Sequence, residues 1–256
     1  MSMPFYVAPE QVMKDRADYA RKGIARGRSA LAIAYADGVL LCAENPSNTL
    51  RKLSEIYDRI AFAGVGKYNE YDQLRIAGVR HADLKGYSYS REDVDARGLA
   101  NVYAQYLGQI FTHEMKPLEV EILVAEISEE PGGDQMFHIR YDGTMMDERR
   151  YVVVGGDSEA ISQRLEAVWQ DHCSLAAALA AAVRALSGPD RTLGPDDLEV
   201  AVLQRGQERR AFKRLDDDAV AALLADAAIQ VAAEAVDPAD EPVDPADKPV
   251  DPAAEA

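Results

Sequence analysis

The chain has 256 residues, 48% of them apolar and 28% charged, with a formal net charge of −16. That length allows a substantial core, and that charge excludes a nucleic acid or an anionic membrane as partner, because phosphate demands a basic face. No apolar run reaches the roughly 18 residues of a membrane span, and Met1 to Pro9 lacks the blocks of a signal peptide. Cys42 and Cys173 form no CxxC pair, which fits a reducing cytoplasm with both thiols as core residues. His81, His113, His138 and His172 never fall at a ligand-like spacing, so neither a metal nor another cofactor is expected.

In chain order, Pro9 suits the first turn of a helix that places Val12, Tyr19 and Ala20 on one stripe and stops around Gly23 to Gly27. "ALAIAY" (Ala30 to Tyr35) alternates, with Leu31, Ile33 and Tyr35 on one face and alanines on the other, as in a sheet covered on both sides. Asp37-Gly38 is a hairpin turn, "VLLCAE" returns from it, and Asn45-Pro46 breaks that strand. "RKLSEIYDRIAFAG" supplies two more strands around Asp58.

Two helices are predicted next, one from near Lys67 to about His81, the other from an N-cap at Ser90 to about Met115, where Pro117 stops it. "EVEILVAEIS", "MFHIRYDG" and "RRYVVVGG" read as three strands, Ser158 to Gly188 as two helices divided near His172 to Ser174, and "LEVAVLQRG" as a last strand. An Ala-rich helix follows over Asp216 to Ala235. Strands in two blocks with paired helices suggest two packed sheets between helical layers, an α+β class. The three-fold repeat VDPADEP, VDPADKP, VDPAAEA closes the chain. From Glu234 onward eight acids face one lysine, a net of −7, and the prolines deny helix and ladder alike. Three segments are therefore expected: 1–8, a folded domain over 9–231, and a disordered acidic tail over 232–256.

"GVGK" (Gly64 to Lys67) invites a phosphate-loop reading, but GxxxxGK with Ser or Thr is not met: Ala61 stands at the first glycine's place and Tyr68 at the hydroxyl's. These glycines serve a tight strand-to-helix turn.

Three stretches together, "YARKGIARGRSALAIAYADGVLLCAENPSNTLRKL" (Tyr19 to Leu53), "GVGKYNEYDQLR" (Gly64 to Arg75) and "NVYAQYLGQIFTHEMKP" (Asn101 to Pro117), resemble proteasome α-subunits, the actinobacterial form most closely. The resemblance runs from about Pro9 to Ala225 and departs from the archaeal and eukaryotic N-terminal signature, because Lys14-Asp15-Arg16 lies inside the first helix. It implies the four-layer α/β/β/α sandwich of N-terminal-nucleophile hydrolases. In catalytic relatives an N-terminal threonine attacks, its amine serving as base with an acid and a lysine to assist. Glu44 falls at the acid's position, Lys52 at the lysine's, and Arg28 where threonine is required. No catalytic residue is expected, and a catalytic N-terminal-nucleophile peptidase acting alone, with its N-terminus at Ser29, is the alternative. The resemblance further implies heptameric outer rings on β-subunit rings, a gate at Ser2, Met3, Pro4, Phe5, Tyr6, Val7 and Ala8, and admission of unfolded protein. It also implies docking of a ring-shaped ATPase's C-termini at Lys52, Gly66 and Lys67, with substrates carrying a small ubiquitin-like tag.

Overall fold

The computed structural model describes residues 8–47, 49–207 and 209–234. Helix α1 (Pro9–Ile24) opens on its proline and is followed by strands β1 (Ala30–Tyr35), β2 (Gly38–Glu44), β3 (Leu53–Tyr57) and β4 (Ile60–Gly66). Helices α2 (Tyr68–Ser88) and α3 (Ala96–His113) lead into strands β5 (Val120–Glu126), β6 (Gln135–Ile139), β7 (Met145–Glu148) and β8 (Tyr151–Val154). Helices α4 (Ser158–Glu166) and α5 (Leu175–Ser187), strands β9 (Leu198–Gln204) and β10 (Phe212–Leu215), and helix α6 (Asp217–Glu234) complete the order.

Two antiparallel five-stranded sheets form, in the orders β10-β9-β2-β1-β8 and β3-β4-β5-β6-β7. Strand parity sorts their side chains into three apolar layers. Ala30, Ala32, Val39, Leu41, Ala61, Ala63, Leu123, Ala125, Ala201 and Leu203 meet between the sheets. Leu31, Ile33, Leu40, Val200 and Val202 face α4, α5 and α6, packing on Leu165, Leu179, Ala182 and Val220. Phe62, Ile122, Val124 and Phe137 face α2 and α3 through Leu74, Leu99, Tyr103 and Leu107. Six of those ten residues between the sheets are alanines, which lets the two backbones approach while larger residues fill the helical layers. The result is the expected α/β/β/α sandwich.

Four local expectations are corrected. The second strand block holds four strands, because β7 adds "MMDE", and β10 adds "FKRL" after β9. Both are four-residue edge strands with partly exposed, charged sequences, so neither shows a clear alternation. Helix α2 runs on to Ser88 instead of His81: nothing after His81 breaks it, and Gly86 sits where a Cβ would come 2.1 Å from the Tyr57 hydroxyl. Ser90 caps a short 3-10 turn over Arg91–Asp93, and Asp95 caps α3 through the Gly98 N–H at 2.6 Å. In α1 the buried side is Ala20 and Ile24, packed on Tyr141 and Phe111, while Tyr19 is 47% exposed under the Lys116 ammonium. Helix α6, over Asp217–Glu234, is the expected Ala-rich helix; residues 1–7 and those from 235 on, the repeats included, lie outside the described residues.

Candidate functional site

One end of the sandwich gathers the residues singled out in the sequence. β2 ends there at Glu44, β3 begins just after Lys52, β4 ends at Gly66, and β9 begins beside them. Antiparallel pairing sets this meeting: Ala43 lies opposite Glu199, and Leu53 opposite Ala63, with the Gly64 N–H donating to the Lys52 carbonyl at 3.0 Å. Gly27, just past α1, closes on the end of β4, and the chain then runs through Arg28 and Ser29 into β1.

Glu44 is buried and clamped. Arg191 donates to both its oxygens, at 3.0 and 3.2 Å, and the Arg28 Nε lies 3.5 Å away. Bonding to Glu44 raises the Arg191 pKa further, so this guanidinium stays charged. Arg28, Ser29, Glu44, Gly156 and Arg191 line a polar cavity of about 370 Å³.

Lys52 is held differently. Its Nζ donates to the Arg28 carbonyl, and no carboxylate oxygen of the described residues lies within 4.0 Å of it. Burial pulls the ammonium down to about 8, with Glu44 and Glu199 opposing that shift and Arg28 adding to it. The Lys52 N–H donates to Glu199 at 2.8 Å and the Leu53 N–H to the same carboxylate at 3.3 Å. Glu199, 2% exposed, also accepts from the Asn45 side chain at 2.7 Å and from Arg214, whose other nitrogen reaches the Leu53 carbonyl at 2.7 Å.

Gly66 occupies a conformation open to glycine alone, with φ of 108° and a Cβ position 2.0 Å from the Glu119 carbonyl oxygen. Lys67 stands at the same corner, its N–H donating to that carbonyl at 2.9 Å. Its side chain is half exposed and lies 3.6 Å from Glu70, which also holds Lys116 at 2.8 Å. Of the expected gate, only Ala8 is described, as the residue that caps α1 and accepts from the Gln11 N–H at 2.9 Å. Ser2 to Val7 lie outside the described residues.

Sequence reasoning missed Glu199, Arg191 and Arg214. Glu199 had a legible signal: it shares strand parity with Ala201 and Leu203, so a carboxylate was headed for the space between the sheets. Arg191 lies in a connection and carried no periodic signal.

This arrangement cannot run the hydrolysis of its catalytic look-alikes. A guanidinium is not a nucleophile, and the Arg28 nitrogen is acylated by a chain that continues back through α1. Ser29 is 6% exposed and equally internal to the chain. The lysine that would activate a hydroxyl is turned onto a carbonyl instead. Among the described residues no cluster of three or more His, Cys, Asp or Glu is placed to hold a metal.

A family model described as proteasome subunit matches residues 24–203. The chain is 63% identical over 226 residues to the proteasome subunit alpha of Acidimicrobium ferrooxidans, covering 88% of this chain and 97% of that one. It is 56% identical over 235 residues to the protein of the same name from Kineococcus radiotolerans, covering 88% and 99%. With that of Thermomonospora curvata it shares 54% over 230 residues, covering 89% and 100%. These likenesses do not favour the free-standing peptidase, and they agree with an end of the sandwich that keeps an acid and a lysine but has no nucleophile. The chain belongs to the proteasome α-subunits, as a non-catalytic member that assembles with copies of itself and with β-subunits in the core particle.

Proposed function

We propose that seven copies form each outer ring of the core particle, control admission of unfolded protein to the β-subunit chamber, and take the C-terminal carboxylates of a ring-shaped ATPase. Docking uses Lys52, Gly66 and Lys67, the gate uses Ser2 to Ala8, and the setting is the cytoplasm, with substrates delivered under a small ubiquitin-like tag. No described helix is long and apolar enough to cross a membrane.

The observation that carries the docking reading is the half-buried ammonium of Lys52, which has a carbonyl for a neighbour and no carboxylate oxygen of the described residues within 4.0 Å. A desolvated cation with no carboxylate in direct contact is a ready partner for an arriving one, and Gly66 brings backbone close beside it. Lys67 contributes less, since Glu70 already engages it.

Lys52→Ala tests this in the assembled α/β particle. Charge-assisted bonds are worth about 1.5–3 kcal/mol, so docking of the matched ATPase ring weakens about tenfold to over a hundredfold per site, with multivalency scaling the whole. The particle should still assemble. Unchanged affinity in an intact particle removes Lys52 from the docking site.

A further inference from the structure

Glu199 is the least exposed carboxylate among the ion-paired groups at this end, its side chain 1% accessible. One oxygen accepts from the Lys52 N–H and the Asn45 amide, the other from the Leu53 N–H and Arg214. These donors come from the connection after β2, from the start of β3 and from β10, so a single carboxylate joins three parts of the chain. Burying a charge this deeply is costly unless donors surround it. Here they do, and two of them are backbone groups of Lys52 and its neighbour.

We infer that Glu199 is the positioning residue for Lys52: it clamps the backbone that carries this side chain and, behind Glu44, adds to the negative field around the ammonium that meets an incoming carboxylate. The inference rests on the docking reading above. Both oxygens of Glu199 are already taken, so it acts on the ammonium through backbone placement and field, without a direct bond. The other charged groups bearing on Lys52 are Arg28 from the connection before β1 and Glu44 from β2. Arg191 offsets Glu44, Arg214 offsets Glu199, and Lys67 at the β4–α2 corner is held by Glu70. Burial lowers the Lys52 ammonium to about 8, and Glu44 first, then Glu199, oppose that lowering. Removing its charge while keeping its shape therefore makes Lys52 give up its proton at a lower pH.

The test uses the assembled α/β particle carrying Glu199→Gln, Glu199→Asp or Lys52→Ala. The probe is a fluorescent peptide with the C-terminal sequence of the same genome's proteasomal ATPase, and its C-terminally amidated form is the control. Affinity is followed from about pH 6 to 10, a range spanning ordinary and depressed lysines. With Glu199→Gln, affinity at neutral pH should fall about tenfold, the order of one charge-assisted bond, and the pH midpoint of binding should move down. With Glu199→Asp, which keeps the charge but is too short for every donor, affinity should fall while the midpoint stays where the parent has it. A residue that only supported the fold would change assembly or affinity without moving the midpoint in the Gln variant alone. A Gln particle with the parent's midpoint overturns the inference. If the Gln particle does not assemble, an Asp particle with the parent's affinity overturns it. Unchanged affinity in Lys52→Ala removes the docking reading itself, a result distinguishable from either Glu199 outcome.

Discussion

The two ends of the sandwich use the same residue types to opposite effect. At the far end, where β3 turns into β4 and β9 into β10, Arg205 holds Asp134 at 2.8 Å, Arg91 grips Asp58 at 2.5 and 2.8 Å, and Arg59 lies 3.6 Å from Glu126. Arg59, Arg91 and Arg205 line a cavity of about 530 Å³, larger than the 370 Å³ at the near end, yet each has its own carboxylate. At the near end two arginines share Glu44, Glu199 is committed to Arg214 and backbone, and Lys52 has only a carbonyl. Balanced charges fasten turns; a half-buried cation with no described carboxylate in contact is what the docking reading rests on. The far cavity is the larger, but Arg59, Arg91 and Arg205 each contact a carboxylate and Lys52 contacts none among the described residues.

The comparison breaks if the far end affects docking or the near end governs stability. The largest effect should come from Asp134→Ala, which leaves Arg205, 14% accessible, without its counter-charge. Breaking a buried pair from one side costs about 3–5 kcal/mol, to be read by urea or thermal unfolding of the lone chain, while ATPase docking by assembled particles keeps the parent's affinity.

The next effect concerns pH and sharpens the contrast. The docking reading requires a charged Lys52, which burial pulls down to about 8, so on that reading ATPase affinity should hold below that pH and fall as pH rises through it. The stability sign is the reverse. Between about 8 and the ordinary lysine value the unfolded chain binds more protons, so this residue makes stability rise with pH across that window. Lys52→Met should abolish that local rise in a pH series of unfolding midpoints. A series identical to the parent's would show that Lys52 is not desolvated.

The smallest expected effect is none. Arg28→Thr restores a hydroxyl at the nucleophile's place beside Glu44 and Lys52, yet its nitrogen stays acylated through α1. Fluorogenic peptide turnover by the purified lone chain should remain at the blank. Turnover that survives repurification would show the near end to be only one substitution from activity.

How legible all this was depends on what each feature requires. The β1 pattern was readable because a strand buried on both faces still sorts large from small: Leu31 and Ile33 went to the helices, Ala30 and Ala32 to the sheet interface. The edge strands β7 and β10 were not, since one side of an edge needs no apolar partner and their charged residues look like loop. Ser90 was read correctly as a cap, but of a 3-10 turn, because a capping box does not say how long the following helix runs.

The missing nucleophile was readable through the resemblance, which says what residue type position 28 would need. The composition, the parity of the strands, the break at Asn45-Pro46 and the arginine at position 28 are local properties, and local rules of backbone and side chain carry them. The wiring of the site is not local. Glu199 meets the Lys52 N–H across 147 positions, and Arg191 meets Glu44 across 147 as well. Which donor faces which carboxylate depends on the register of β9 against β2 and on where the α5–β9 connection lands, and burial of whole layers sets both. Residue types, set against the resembled family, place an acid and a lysine at this end with an arginine where the nucleophile would stand; the packing of the sheets clamps the acid and leaves the lysine without a described carboxylate in contact, because a charge is paired or unpaired according to its neighbours in space.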